Sequence, residues 1–243
     1  MAQKKSNKTF ILGLTVALLL PFAFFIYYEI KVQMSVSRKI IKLPGYYIPD
    51  RVVKSDDGNN KYDTIYHRAA DITLTNEFGK QVSLNKDLKN RILIVNFFFA
   101  NCTTVCPNLT GNLTMLQKAF RRDPKKEASL DTAIQIVSIS IDPVHDSVPV
   151  LRQYSDRFHV NHDNWSFFTG DRGEIYNFAR NELHVSMQPA NGGADDFIHS
   201  QKLVLLDLDR NIRGYYDGLD TADIKRCADD IVLLTVEKKR KHH

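Results

Sequence analysis

Two predominantly apolar runs, RILIVNFFF at residues 91–99 and AIQIVSISI at residues 133–141, constrain the fold of this chain more than any other feature. Neither alternates strictly between apolar and polar residues. Both are rich in β-branched or aromatic side chains, the pattern of strands buried on two faces rather than one. The segments around them supply the cover. After Pro107, the residues Leu109, Leu113, Leu116 and Phe120 recur at helical spacing and give one apolar face. VPVLRQYSDRFHV reads as a second helix, WSFFTG with RGEIYNFARNEL as a further strand and helix, and TADIKRCADDIVLLTVEKK as a closing helix capped by Asp220 or Thr221. DITLTNEFGKQVSL has two short alternating runs about Asn76 to Gly79, and KLVLLDLD and NIRGYYDG flank a tight turn, so each predicts a hairpin. A strand, helix, strand, helix order ending in a hairpin and a helix is the thioredoxin-like arrangement. It is an α/β sheet covered on both faces, here with an N-terminal β-hairpin extension.

The 243 residues are enough for one such core and an anchor. From Phe10 to Tyr28, nineteen residues carry no charge, about the length that crosses a bilayer's hydrocarbon core. Lys4, Lys5 and Lys8 precede the run, which keeps the start cytoplasmic and sends the remainder outward. The run is longer than a signal-peptide core and lacks an A-x-A-like site near its end, so it predicts a retained single-pass anchor, kinked at Pro21. The expected order is a basic cytoplasmic N-terminus (1–9), a transmembrane anchor (10–28), an aperiodic linker (29–67), the thioredoxin-like domain (68–237) and a basic tail (238–243). That order puts the domain on the periplasmic side of the cytoplasmic membrane. Net charge is +5, but the basic residues gather at the ends, in MAQKKSNK and EKKRKHH, with no basic stripe interleaved with aromatics between them. Nucleic-acid binding is not expected.

Three cysteines are too few for a disulfide scaffold. Cys102 and Cys106, in NFFFANCTTVCPNLT, fall at the carboxyl end of a central strand and the start of the next helix, where open α/β sheets place their ligands. Pro107 suits the first helical position, which puts Cys106 at or beside the N-cap. Unpaired backbone N–H groups and the helix dipole favour a thiolate there. A thiolate serves metal ligation and disulfide exchange alike, and the C-x3-C spacing alone selects neither. Two thiolates plus an imidazole suit copper, with zinc as the other option. Cys227, inside the closing helix, reads as a small buried hydrophobe.

Of the histidines, His67 lies at the linker junction and His242 and His243 in the charged tail, while His159 and His162 end a helix and read as solvated. His145, in IDPVHDSVP, follows the second central strand at the same sheet end as the cysteines. His199 is the stronger candidate ligand. It sits between the loop QPANGGADDF and the strand KLVLLDLD, although the same position suits a merely polar histidine at the start of a strand.

Three blocks together resemble the Sco/SenC family of membrane-anchored, thioredoxin-like copper chaperones. FFFANCTTVCP is similar to the family's cysteine block. SISIDPVHDSVPVLRQYSDRF with the later WSFFTG is similar to its D-P-x-x-D-x-P region and Trp-x-x-x-Thr-Gly segment, and DDFIHSQKLVLLDLDRNIRGYYDG to its histidine-bearing hairpin. They span about residues 70–236. The resemblance implies copper, as Cu(I) and also Cu(II), bound by Cys102, Cys106 and His199. It implies a role in maturing the binuclear copper centre of a respiratory cytochrome c oxidase, by copper transfer, thiol reduction or both. The implied partners are the copper-bearing oxidase subunit, a copper donor protein and a thioredoxin-like reductant. Two departures stand out. Thr103 follows the first cysteine where the family usually has proline, and Val148 stands between Ser147 and Pro149. Asp142 and Asp146 are then read as loop and helix-capping residues. The rival readings are a thiol-disulfide oxidoreductase acting through Cys102 and Cys106 on an oxidase subunit, a redox or copper sensor, and, weakest, a zinc-stabilised domain. Neither a P-loop nor a Ser-His-Asp pattern points to ordinary turnover chemistry.

Overall fold

The structure, a computed structural model, describes residues 13, 17–29, 31, 43–54, 62–120, 132–186 and 201–241. The chain divides into two compact units, residues 1–42 and 43–243. In the first, residues 17–29 are helical, with Leu18, Leu19, Phe22, Phe24 and Phe25 exposed. Among the described residues no helix is long and apolar enough to cross a membrane. The first part of the expected 10–28 span, apart from residue 13, lies outside them.

The second unit is organised by the two apolar runs. They form β5 (Ile92–Phe98) and β6 (Ile134–Ser140), buried at every position and paired in parallel from Ile92↔Ile134 to Phe98↔Ser140. β6 pairs in parallel with β7 (Trp165–Thr169). The two expected hairpins extend the sheet on either side. β3 (Thr73–Asn76) and β4 (Gln81–Ser83) join through β7, and β8 (Lys202–Leu206) and β9 (Ile212–Asp217) join through β5. The order across seven strands is β4-β3-β7-β6-β5-β8-β9. Helices α1 (Val105–Ala119) and α4 (Thr221–Lys241) pack together, α4 covers β9, and α2 (Val148–Arg157) packs on β7. The polar side chains of Asn96, Ser138 and Trp165 inside this core are paired, as burial demands. Trp165 donates its indole N–H to the Ser138 hydroxyl (2.9 Å), and Ser138 donates to Asn96 Oδ1 (2.7 Å), linking β7, β6 and β5.

Local chemistry sets the helix starts. Asp171 caps α3 (Arg172–Asn177) by accepting the Glu174 N–H at 2.9 Å, and α3 continues into a π-helical turn over Phe178–Glu182. Of the two residues expected to cap α4, Asp220 does so, accepting the Ala222 N–H at 2.9 Å. The extra Val148 becomes the first residue of α2, with Ser147 as N-cap and Pro149 second. That is a position where proline costs nothing, because its missing N–H would have had no intrahelical acceptor.

Part of the expected linker is structured. β1 (Pro49–Lys54) and β2 (Tyr62–Tyr66) pair antiparallel within the 29–67 stretch. The sequence conceals them because Val52 and Tyr62 both face solvent, so no half-buried alternation develops. Packing at one end holds the segment down. Tyr46 stacks on Tyr66 with ring centroids 4.9 Å apart, and the Arg213 guanidinium lies 4.1 Å from the Tyr46 ring centroid.

Candidate metal site

β5 delivers the chain to the site, and α1 carries it away. Helix α1 begins at Val105, so Cys106 is its second residue and Pro107 its third. This is a correction to the expected first-position proline. Every N–H of the first helical turn lacks an intrahelical acceptor, so proline is tolerated beyond the first position. The N-cap residue Thr104 makes no side-chain capping bond. The acceptor at this helix start is sulfur instead: the Cys106 N–H points at Cys102 Sγ from 3.2 Å.

This arrangement separates the two thiols. Both are buried, at 7% exposure for Cys102 and 3% for Cys106. Burial works against a Cys102 thiolate, but hydrogen bonds from the Cys106 backbone and side chain and from the Thr104 and Val105 backbone outweigh it, and the thiol is held below its ordinary range. Burial pushes Cys106 up to about 12, with the neighbouring Cys102 and Asp146 adding to the rise. The sequence placed the favoured thiolate at Cys106. The structure moves it to Cys102, because the helix N–H groups converge on the sulfur that precedes the helix, not on one inside it.

A second layer fixes the cysteine-bearing turn. Asp146 Oδ2 accepts the Ala100 N–H at 3.0 Å and the hydroxyl of Ser140. The carboxylate is only 1% exposed, and burial raises its pKa against those hydrogen bonds. Asp146 therefore ties the β6–α2 loop to the end of β5 instead of capping α2, a correction to its expected role. Asp142 accepts the backbone N–H groups of His145 and Asp146 through its own carbonyl (3.1 and 2.9 Å). One turn into α1, Thr110 Oγ1 lies 2.9 Å from the Tyr154 hydroxyl, which anchors α1 to α2.

His199 lies outside the described residues, as does the loop before it from residue 187. The neighbouring strand is well defined. β8 runs antiparallel to β5 with Leu93↔Leu206 and Val95↔Val204 in register, so Lys202 begins the strand at the carboxyl end of β5, beside the cysteines. Gly218 binds that start to α1. Its N–H donates to the Gln201 carbonyl (2.8 Å), and its own carbonyl accepts from Asn112 Nδ2 (2.8 Å). A Cβ at this glycine would sit 2.9 Å from both the Gln201 oxygen and Leu109 Cδ1. Only a residue without a side chain permits so close an approach. Sequence reasoning overlooked Gly218, and the turn signal YDGLD after a strand was its only trace.

The other histidines sort clearly. His162, expected to be solvated, is largely buried and pairs with Glu77 at 2.7 Å, and the Glu77 side chain is fully buried. His67 Nε2 lies 3.1 Å from the Glu182 carbonyl oxygen. His159 is exposed, with φ of 52° after the end of α2, and His145 lies on the cysteine side of the sheet, bonded to Asp142. Cys227 is 0% exposed inside α4, as expected, and burial raises its pKa. Among the described residues, no three His, Cys, Asp or Glu side chains are placed to hold a metal. Cys102 and Cys106 offer two soft donor atoms.

A thioredoxin-like domain carrying a polarised dithiol at a helix start is the class these features define. The SCO1/SenC family model matches residues 62–234, and the chain belongs to that family. It is 30% identical over 176 residues to the SCO1 protein homolog of Bacillus subtilis (strain 168), covering 72% of this chain and 84% of that one. Its fold is similar to that of a SCO1/SenC family lipoprotein from Bacillus anthracis (26% identity, TM-score 0.60, 70% and 95% of the two chains covered). It is also similar to BsSco, described as a member of the Sco family of cytochrome c oxidase assembly proteins with a disulfide switch (28%, TM-score 0.58, 70% and 94%). Arabidopsis thaliana ScoI with copper bound shares the fold at 23% identity (TM-score 0.55, 70% and 98%).

Proposed function

We propose that this protein is a copper chaperone of the cytoplasmic membrane. Residues 10–28 anchor it, residues 29–67 connect the anchor to a periplasmic domain at 68–237, and residues 1–9 and 238–243 are basic ends. Copper binds through Cys102, Cys106 and His199. The cargo is delivered to the binuclear centre of a respiratory cytochrome c oxidase, or the same thiols prepare that centre's cysteines.

The observation that carries the copper reading is the dithiol at the start of α1, with the start of β8 fastened to the same helix through Gly218. That contact brings the chain two residues after His199 beside the cysteine helix. Two thiolates and one neutral imidazole form a soft, low-coordinate set suited to Cu(I). Such a set leaves one side for an incoming ligand from the oxidase subunit, so copper leaves by ligand exchange. Cu(II) requires a more tetragonal set completed by water or a carboxylate. Family membership and the assembly role named for BsSco point to the oxidase as recipient.

One observation favours thiol chemistry as a second reading. Cys102 is held below the ordinary thiol range and Cys106 well above it, which is the division between an attacking and a resolving thiol. A single comparison separates the readings. In cells lacking the native protein, His199→Ala is expected to abolish oxidase maturation while a model disulfide is still reduced, and Cys102→Ser or Cys106→Ser to abolish both. Maturation by His199→Ala at the wild-type level means that the protein is a thiol reductase. Protease added to intact spheroplasts is expected to digest the domain, and protection there contradicts the proposed topology.

A further inference from the structure

His145 is not in the ligand set, yet its geometry is that of a prepared ligand. Its Nδ1 lies 2.8 Å from Asp142 Oδ2. With the Asp142 carboxylate as acceptor, the neutral ring carries its proton on Nδ1 and presents the Nε2 lone pair outward. Carboxylates orient metal-binding imidazoles in this way elsewhere. The partners differ in exposure: the Asp142 side chain is 14% exposed and that of His145 75%. The carboxylate is therefore fixed in the protein and the imidazole stands in solvent.

The pair opens onto a cleft of about 410 Å³ lined by Phe99, Ala100, Asn101, Asp142, His145, Asp146 and Val150. One wall of this cleft is thus the turn that leads directly into Cys102. The Asp146 side chain, also in the lining, is tied to that turn by accepting the Ala100 N–H at 3.0 Å.

We infer that His145 is a transit ligand for Cu(I): its Nε2 accepts the metal at the cleft mouth and passes it to the cysteine pair. The inference rests on the copper reading above. One imidazole without further protein donors binds Cu(I) too weakly to retain it, and weak, exposed binding is what a relay step requires. In the transfer, copper exchanges its bond to Nε2 for bonds to two sulfurs. The thiol protons pass to solvent, and no electron moves.

The test uses the full-length chain in detergent, reduced and anaerobic, with Cu(I) supplied as its bicinchoninate complex. Loss of the coloured complex is followed by stopped flow. His145→Asn, which removes the accepting nitrogen itself, is expected to slow loading by more than the roughly tenfold that losing an orienting partner costs, with the same final occupancy. Asp142→Asn, which frees the ring to swap tautomers, slows it less. Free imidazole should restore more of the rate to His145→Asn than it adds to wild type. Loading of folded His145→Asn at the wild-type rate overturns the inference and leaves the copper site standing. If wild-type protein takes up no more copper than Cys102→Ser/Cys106→Ser, the copper reading itself fails, and the relay with it.

Discussion

At the amino end of β5, Arg210 is 4% exposed and donates to the carbonyls of Leu84 (2.8 Å), Leu88 (2.7 Å), Arg91 (2.9 Å) and Asp207 (3.2 Å) and to Asn85 Oδ1 (2.9 Å). At the carboxyl end of the same strand, Cys102 and Cys106 are buried to a similar extent, but their sulfurs are met by backbone N–H groups and by each other. The arginine end is saturated. Its neighbour Arg213 is paired as fully, to Asp207 (3.1 Å) and Glu237 (2.9 Å). The cysteine end keeps sulfur lone pairs for an external bond. Burial alone therefore says little about function; what separates the two ends is whether the bonding capacity of the buried group is already used.

The largest effect is expected from breaking the saturated end. Arg210→Leu removes all five side-chain hydrogen bonds and takes the donor away from the Leu84 and Arg91 carbonyls and from Asn85 Oδ1, and should cost about 3–5 kcal/mol in urea unfolding. If the midpoint barely moves, this end is not the structural lock described. Next comes Gly218→Ala, whose methyl group would press on the Gln201 carbonyl and Leu109. About 1–3 kcal/mol should be lost, and copper affinity should fall as well, because the start of β8 moves away from α1. A stability loss with unchanged affinity would break the link between Gly218 and the site.

Within the cysteine end, the two thiols should react unequally. Cys102 is held low, so its alkylation by iodoacetamide becomes appreciable at a pH below that of an ordinary thiol and rises with pH. Cys106, pushed up to about 12, remains protonated through neutral and mildly alkaline pH. In metal-free reduced protein at neutral pH, peptide mapping should find Cys102 modified at least about tenfold faster. Equal rates, or the reverse order, contradict the assignment. The smallest effect belongs to Cys227→Ala, which removes one buried sulfur: about 1 kcal/mol and no change in copper stoichiometry. A lost copper equivalent in the folded variant would move the site.

The sequence shows the core and the location of the site better than it shows the chemistry within the site. β5, β6, α1 and both sheet hairpins were readable because their burial imposes periods and continuous apolar runs. β1 and β2 were not, because Val52 and Tyr62 face solvent and leave no period. Cys102 and Cys106 were legible as a pair from their place after a buried strand. Which thiol is activated was not, because that depends on where a two-residue shift of the helix start, from Pro107 to Val105, aims its N–H groups. Asp146 read as a loop or helix-capping residue and His162 as solvated, since polar residues in loops give no sequence signal for the distant partners Ala100 and Glu77 that they meet. The functional inference from His199 came from its position before β8 and from family resemblance, not from any periodicity.

The central claim is that the unsaturated end of the sheet holds copper with two sulfurs and one imidazole. X-ray absorption of the reduced, anaerobic, full-length protein loaded with Cu(I) tests it most directly. The account predicts one copper per chain with two sulfur and one nitrogen neighbours, and loss of the nitrogen in His199→Ala with both sulfurs retained. A wild-type spectrum fitted by sulfur alone, or one unchanged by His199→Ala, would contradict it.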